Sequence, residues 1–368
     1  MRHVKVQEMP FIVPGPERTS QFFSAADLAE KPVPPREWLV DGMVPQKTVT
    51  LFQGDGGTGK SLLALQLASA VAAGTNWIGR PVAQGRALFM SAEDDEDELH
   101  RRMNDILRET RRNWPDVAGL TLRSLAGEDA LLAMEMAPQL ALIESELFKE
   151  LEARAAQDAP SLIVIDTLAD VYPANENDRA KVRQFVGILR GLALRQKCAV
   201  MLLGHPSLTG LNSGSGSSGS TAWNNSVRSR LYMHRVTDGE HEPDPDKRIV
   251  ATKKANYGRT GGEITLTWRN GIFWPDPTET GLDRMAASAK GERVFLKLLA
   301  EATTQGRKVN HAGGPTYAPK VFAASPGAEG MTAKALRSAM EALLHKGRIK
   351  IAKEGRPSKE RQFLEVAE

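Results

Sequence analysis

Eight consecutive residues, Gly54-Asp55-Gly56-Gly57-Thr58-Gly59-Lys60-Ser61, follow the pattern Gly-x-x-x-x-Gly-Lys-Ser/Thr. They lie between an apolar strand-like run, Thr48–Gln53, and a helical stretch, Lys60–Ala73, which is the context the pattern requires. Glycines let the backbone curl so that several N–H groups face one anion, and the helix that follows points its positive end at the same place. Lys60 adds a mobile cation for the phosphates, and Ser61 offers a hydroxyl to Mg²⁺. The chemistry implied is binding of ATP with Mg²⁺.

Such a loop needs a carboxylate for the metal. The run Ser161-Leu162-Ile163-Val164-Ile165-Asp166 supplies one, as a buried strand ending in an acid. The carboxyl ends of parallel strands face the ligand crevice, so Asp166 is expected beside the loop as a metal-site residue with Ser61. Thr167, not a glutamate, follows Asp166, so the acid that orients the attacking water must come from elsewhere. The strand Ala87–Met90 ends in Ser91-Ala92-Glu93-Asp94-Asp95 and offers Glu93. These acids also have a plainer use, stabilising the start of the next helix, which Asp94 and Asp95 are expected to serve. His205, after the strand Ala199–Gly204, is placed to sense the γ-phosphate.

The elements that must position these residues alternate. Strand-like runs are Thr48–Gln53, Ala87–Ser91, Leu120–Ser124, Leu162–Asp166 and Ala199–Gly204; helical stretches are Lys60–Ala73, Glu96–Arg112, Pro138–Gln157 and Asp178–Gln196. Alternation of this kind predicts an α/β fold with a mostly parallel sheet and right-handed crossovers. Strands alone follow: Leu231–Val236, Arg248–Lys254, Glu263–Trp268 and Ile272–Trp274, an expected antiparallel extension of the sheet. Residues 1–35, rich in proline, read as an N-terminal arm with a short helix near Ser24–Glu30; 36–276 form the core and 277–289 a linker. Residues 290–368 read as helices at Glu292–Ala300, Ala318–Ala324 and Thr332–Lys346, then a hairpin, Arg348–Ala352 with Gln362–Val366: a small winged helix-turn-helix. The Gly/Ser-rich Ser207–Thr221 and the acidic tip Asp238–Asp246 are expected to be mobile.

Composition bounds the rest. With 368 residues, 41% hydrophobic and 25% charged, the chain is of ordinary globular make-up and is not mostly disordered. No stretch is long and apolar enough to span a bilayer, and Met1–Ser20 has no signal-peptide pattern. Cys198 is the single cysteine, which fits a reducing cytoplasm. Residues 290–368 carry 15 Lys/Arg against 8 Asp/Glu, a balance of +7, whereas the whole chain is only +3. The tail is thus expected to meet an anionic partner.

Together the ordered signatures resemble the RepA-type hexameric replicative helicases, RecA-like ATPases of plasmids and phages. They are the phosphate loop, Met90-Ser91-Ala92-Glu93-Asp94, Ile165-Asp166-Thr167-Leu168, Glu176-Asn177, Leu203-Gly204-His205-Pro206-Ser207, Gly219-Ser220, Val227-Arg228 and Lys254-Ala255-Asn256-Tyr257-Gly258, within about Trp38 to Trp274. The resemblance implies a RecA-like P-loop core, a ring with ATP between subunits, and a neighbouring strand that delivers Glu93 as the water-orienting base. It implies that Arg228 is a trans arginine finger, with Arg230 as fallback, and Lys254 a second trans cation, with Lys253 as fallback. It casts Ser207–Thr221 as a central loop meeting single-stranded DNA; the alternative is a plain flexible linker, since no Lys, Arg or aromatic precedes Trp223. The arm and the tail depart from the short plasmid enzymes. The tail offers Lys334, Arg337, Arg356 and Lys359 to duplex DNA, or serves as a protein-docking module.

The reading is therefore an ATP-driven, ring-forming DNA motor, a homo-oligomer expected to be a hexamer, with no membrane partner. The alternative is an ATP-switched DNA-binding protein, a recombination mediator or loader that does not unwind. A DNA-binding regulator with an inactive core is disfavoured by the joint presence of Lys60, Glu93 and Asp166.

Overall fold

The computed structural model describes residues 22–136, 141–205, 221–237, 241–277, 281–354 and 361–367. The chain divides into two compact units, Met1–Asp276 and Pro277–Glu368. In the first, β1 (Trp38–Val40) and β2 (Val44–Pro45) pair with each other. The main sheet then takes β3 (Val49–Gly54), β4 (Ala87–Ser91), β5 (Leu120–Ser124), β8 (Leu162–Asp166), β9 (Ala199–Gly204), β10 (Ser229–Arg235), β11 (Lys247–Ala255), β12 (Glu263–Arg269) and β13 (Ile272–Pro275). The intervening β6 (Ala133–Met136) and β7 (Ala141–Glu144) form a separate antiparallel pair. The order across the sheet is β13-β12-β11-β10-β3-β9-β8-β4-β5. From β10 to β5 every neighbouring pair is parallel, and β11, β12 and β13 extend the sheet antiparallel.

The central strands are buried throughout and mostly apolar because both faces are covered. Alternate residues serve opposite cores. Phe52, Val164 and Met201 face one core with Leu63, Leu67 and Val71 of α1 (Lys60–Ala73) and Leu99, Met103 and Ile106 of α2 (Glu96–Thr110). Leu51, Ile163, Ile165 and Leu202 face the other, against α3 (Glu146–Asp158), α4 (Leu168–Val171), α5 (Arg179–Arg195) and α6 (Thr221–Ser226). There Trp223 is fully buried and meets Tyr172 and Phe185 edge-on, so it is a core residue.

The second unit holds α7 (Gly281–Thr304), α8 (Ala318–Ala323) and α9 (Ala333–His345), followed by the hairpin β14 (Ile349–Glu354) and β15 (Arg361–Val366). Its core joins Val294, Phe295 and Leu298 to Phe322, Leu336, Met340, Leu343, Ile349 and Leu364.

Three expectations need correction. The stretch read as a linker, 277–289, is helical from Gly281: Ala286, Ala287 and Ala289 favour helix, and the packed turn at Val294–Phe295 gives them a nucleus to extend. The helix expected over Pro138–Gln157 begins at Glu146. Ser145 caps it by accepting from Phe148 N at 3.1 Å, while Ala141–Glu144 is drawn into β7. The strand expected as Leu231–Val236 is β10, and it runs parallel to β3, not antiparallel. The arm is described only from residue 22, where Ser24 caps a 3-10 turn at Ala25–Leu28. Ser207–Ser220, part of the acidic tip, and Arg356 and Lys359 lie outside the described residues.

The parallel pairing of β3 with β10 sets a tight point at Gly54. A Cβ there would stand 2.3 Å from the Met233 carbonyl oxygen, a backbone atom that cannot swing away, whereas one on Gly56 would meet nothing within 4 Å. Gly54→Ala is therefore expected to lower stability by about 1–3 kcal/mol, and Gly56→Ala by less than about 0.5 kcal/mol. Urea unfolding of the two variants checks this; equal midpoints would show that β10 yields at no cost.

Candidate nucleotide site

Four adjacent strands end together. Register pairs Gln53 of β3 with Gly204 of β9, and Ser91 of β4 with Asp166 of β8. The loops leaving these ends carry Gly54–Ser61, His205, Glu93 and Thr167. They line a cavity of about 290 Å³ with Gly57, Gly59, Lys60, Ser61, Leu62, Glu93, Arg102, Asp166, Thr167 and His205 on its walls. The parallel topology thus brings together residues as far apart in sequence as Gly57 and His205.

The glycine-rich loop is shaped by its own backbone. Gly57 and Gly59 have φ of +67° and +94°, a region that side chains rarely adopt. Thr58 Oγ1 donates to Asp55 O at 2.9 Å, closing the turn from inside. Asp55 points outward, where its Oδ1 accepts from Tyr232 Oη at 2.6 Å. Lys60 is nearly buried; its ammonium donates to Gly54 O at 2.8 Å and Asp55 O at 3.0 Å and lies 3.4 Å from His205 Nδ1. Burial holds Lys60 below its usual range, while Asp166, Asp55 and Glu93 pull it back up. His205 is exposed at the cavity rim; partial loss of solvent around its ring and then the Lys60 charge lower its pKa.

Asp166 is the most constrained group here. It is 1% exposed, and neither carboxylate oxygen accepts a hydrogen bond of regular geometry. Burial pushes it up to about 7; the nearby Ser61 hydroxyl counters this, and Glu93 and Asp94 add to it. A buried carboxylate with both oxygens open is chemically incomplete. Among the described residues no cluster of three or more His, Cys, Asp or Glu could hold a metal. The site suits Mg²⁺, which takes one or two protein oxygens and fills its shell with phosphate oxygens and water. Asp166 and Ser61 are the residues placed to hold it.

The acids after β4 divide their work. Asp95 caps α2, accepting from Glu98 N at 2.8 Å. Asp94 is fixed on three sides: its N–H donates to Ser91 Oγ at 3.0 Å, its carbonyl accepts from Ser124 Oγ at 2.9 Å, and its carboxylate pairs with Arg102. Burial raises the Asp94 pKa and Arg102 lowers it. Asp94 was expected only to support the helix start, so its pairing with Arg102 is a difference. Glu93 takes neither part and lines the cavity. Arg102 was missed; its spacing from Glu98 marks it as a helix-surface ion pair, and nothing local says that its far end reaches the nucleotide cavity.

The cations expected to act in trans are elsewhere. Arg228 precedes the Ser229–Thr50 register pair, and the phosphate loop begins at the Met233–Gly54 pair four residues on, roughly 13 Å away at strand rise. Arg228 sits with Arg230 and Lys254 at this opposite end. Arg230 faces Lys254 across the β10–β11 ladder, and Asn256 N donates to Arg228 O at 3.0 Å. Lys254 Nζ donates to Asn224 O at 2.5 Å; burial lowers its pKa, and Arg228 and Arg230 lower it further. Lys253 is exposed.

The raised Asp166 pKa makes a stability claim. Between its unfolded value near 3.8 and its folded value near 7, the folded chain holds a proton that the unfolded chain has lost. Stability from this group therefore falls as pH rises through that window. Without nucleotide, Asp166→Asn is expected to be the more stable protein at pH 8, by up to on the order of 4 kcal/mol, and the two are expected to converge near pH 4. Unfolding curves across pH for both proteins check this.

The sequence pattern of a family described as an AAA domain matches residues 16–210, just over half of the chain. Among solved structures, a KaiC-like protein from the hyperthermophilic archaeon Pyrococcus horikoshii OT3 superposes with a TM-score of 0.45 at 14% identity, over 65% of this chain and 94% of that one, a likeness too loose to build on. The family match runs from the arm through the phosphate loop and Asp166 to just past His205, and on it the chain belongs to the AAA domain family of P-loop ATPases.

Proposed function

We propose that the chain hydrolyses ATP with Mg²⁺ at interfaces between copies of itself and uses that cycle to drive a ring-forming DNA motor, a helicase or translocase of the RepA-type, RecA-like kind. The observation that carries the shared site is the cation group at the far end of β10. Arg228 and Lys254 are in no ion pair among the described residues, and the Arg228 Nε has no hydrogen-bond partner. Register keeps them from the loop of their own chain. Two neighbouring cations, Arg228 and Lys254, that form no ion pair among the described residues favour an anion, and a triphosphate on a second copy is one of suitable charge.

In this reading the loop N–H groups and Lys60 bind the phosphates, Lys60 exchanging its carbonyl partners for phosphate oxygens. Bound Mg²⁺ would supply charge that offsets the developing negative charge on those oxygens. Glu93, open to the cavity, orients water for attack. His205, beside Lys60, senses the terminal phosphate and passes its loss to the Gly/Ser-rich stretch that follows. Arg228 from the neighbour stabilises charge in the transition state, with Lys254 beside it.

The C-terminal unit supports a DNA partner through its excess of Lys and Arg. Exposed Lys334 and Arg337 lie on α9, the third helix of what we read as a winged helix, and Arg337 pairs with Glu341 at 2.9 Å. A strand-displacement assay separates the motor from the non-unwinding switch.

Mixing two inactive variants tests the shared site. Lys60→Ala disables a pocket and keeps the cations; Arg228→Ala keeps the pocket and is expected to bind ATP while losing about 10³-fold in turnover. Mixed, they are expected to recover partial ATPase activity that vanishes on dilution. Full turnover by Arg228→Ala alone would overturn the assignment.

A further inference from the structure

The outer wall of the phosphate loop is held by residues that no motif marks. Arg235, the last residue of β10, donates from Nη2 to Gly57 O at 3.4 Å. Arg248, on β11, donates from Nε to Thr58 O at 3.3 Å. Between the two guanidinium groups lies Glu242. Its Oε2 accepts from Arg235 Nη1 at 3.0 Å and its Oε1 from Arg248 Nη1 at 3.1 Å. Arg248 is 8% exposed and is further fixed by Pro245 O and Lys247 O, both at 2.7 Å. The two arginines repel each other, and burial with that repulsion lowers the pKa of Arg248. Glu242 is the carboxylate that lets them stand together.

We infer that Glu242 and the two arginines form a clamp that presets the phosphate loop for nucleotide, and that Glu242 is a positioning residue governing affinity. In a trans peptide the C=O of one residue and the N–H of the next point opposite ways. Arg248 bound to Thr58 O on the outside therefore turns the Gly59 N–H inward, to the cavity that Gly59 lines. Arg235 on Gly57 O does the same for the Thr58 N–H, which is only weakly engaged by Asp55 O at 3.4 Å. Each bond is charge-assisted, so it also polarises the peptide toward a stronger donor. Gly57 and Gly59 at positive φ are intrinsically free to choose other conformations. The clamp removes that choice before the ligand arrives, so less ordering is charged against binding. It lies on the β10–β11 side of the loop, away from Glu93 and Asp166, which are carried by β4 and β8. Its effect falls on binding and not on the water.

This inference rests on the ATPase reading, and the test separates the two. Binding of Mg²⁺-ADP is measured by calorimetry for the whole chain, with KM and kcat for ATP. Glu242→Gln keeps shape and removes charge, Glu242→Asp keeps charge and shortens reach, and Arg235→Gln removes one arm. A thermal melt accompanies each variant. Glu242→Gln and Arg235→Gln are expected to weaken ADP binding about tenfold, the effect of losing one charge-assisted contact. KM is expected to rise by a similar factor while kcat falls no more than about threefold. Glu242→Asp is expected to recover part of the affinity. If Glu242→Gln fails to fold, Arg235→Gln decides. Wild-type affinity in these variants, or a fall in kcat at unchanged KM, would overturn the clamp alone. Failure of the wild-type chain to bind any nucleotide would overturn the ATPase reading and the clamp with it.

Discussion

A carboxylate at the end of a fully buried strand, with no regular hydrogen bond to either oxygen, is costly to keep. Asp166 is in that position, and burial raises its pKa to about 7. Lys60, its cationic counterpart across the cavity, is also nearly buried and bonds to carbonyl oxygens of its own loop. The two are not ion-paired with each other among the described residues. A structure selected for stability alone would join them or replace them by apolar groups. Keeping them apart leaves a gap lined by one open acid and one detachable cation, which is what a magnesium–phosphate ligand fills. The rest of the first unit depends on holding that gap at the carboxyl ends of β3, β9, β8 and β4.

Packing does this with little latitude. The strands are covered on both faces, so none can shift without opening a core. Gly54 sits where β3 and β10 approach too closely for a Cβ, and Gly59 sits under Phe273, whose ring would lie 2.5 Å from a Cβ there. The loop is thus pressed from β10 and from β13, held at its carbonyls by Arg235 and Arg248, and tied at Asp55 by Tyr232. The antiparallel extension after β10 is therefore part of the site, and supplies its outer wall.

Much of this was legible in the sequence where a local pattern sufficed. The loop, the buried run ending in Asp166, and the alternation of strand-like runs with helical stretches are short-range signals, and the structure places Lys60, Ser61, Glu93, Asp166 and His205 around one cavity. What escaped depends on distant pairing. Tyr232 reaches Asp55 across 177 residues and Arg248 reaches Thr58 across 190, and no spacing rule records such contacts. Arg102 reads as a helix-surface ion pair until the sheet order carries α2 to the cavity. The burial of Trp223 against Tyr172 and Phe185 is likewise a tertiary fact that no local pattern records. The late start of α3 was hidden because helix propensity does not show that Ala141–Glu144 has a partner strand in β6.

The claim that binds these observations is that Mg²⁺-nucleotide completes Asp166. At pH 7 a group with a pKa near 7 holds its proton in about half of the free molecules, and an Asp that ligates Mg²⁺ must give it up. Calorimetry of Mg²⁺-ADP binding at pH 7, in two buffers of different ionisation enthalpy, reads that proton directly. The account predicts release of a fraction of a proton by the wild-type chain, dependent on Mg²⁺ and absent in Asp166→Asn. Magnesium-dependent binding with the same proton balance in both proteins would contradict it.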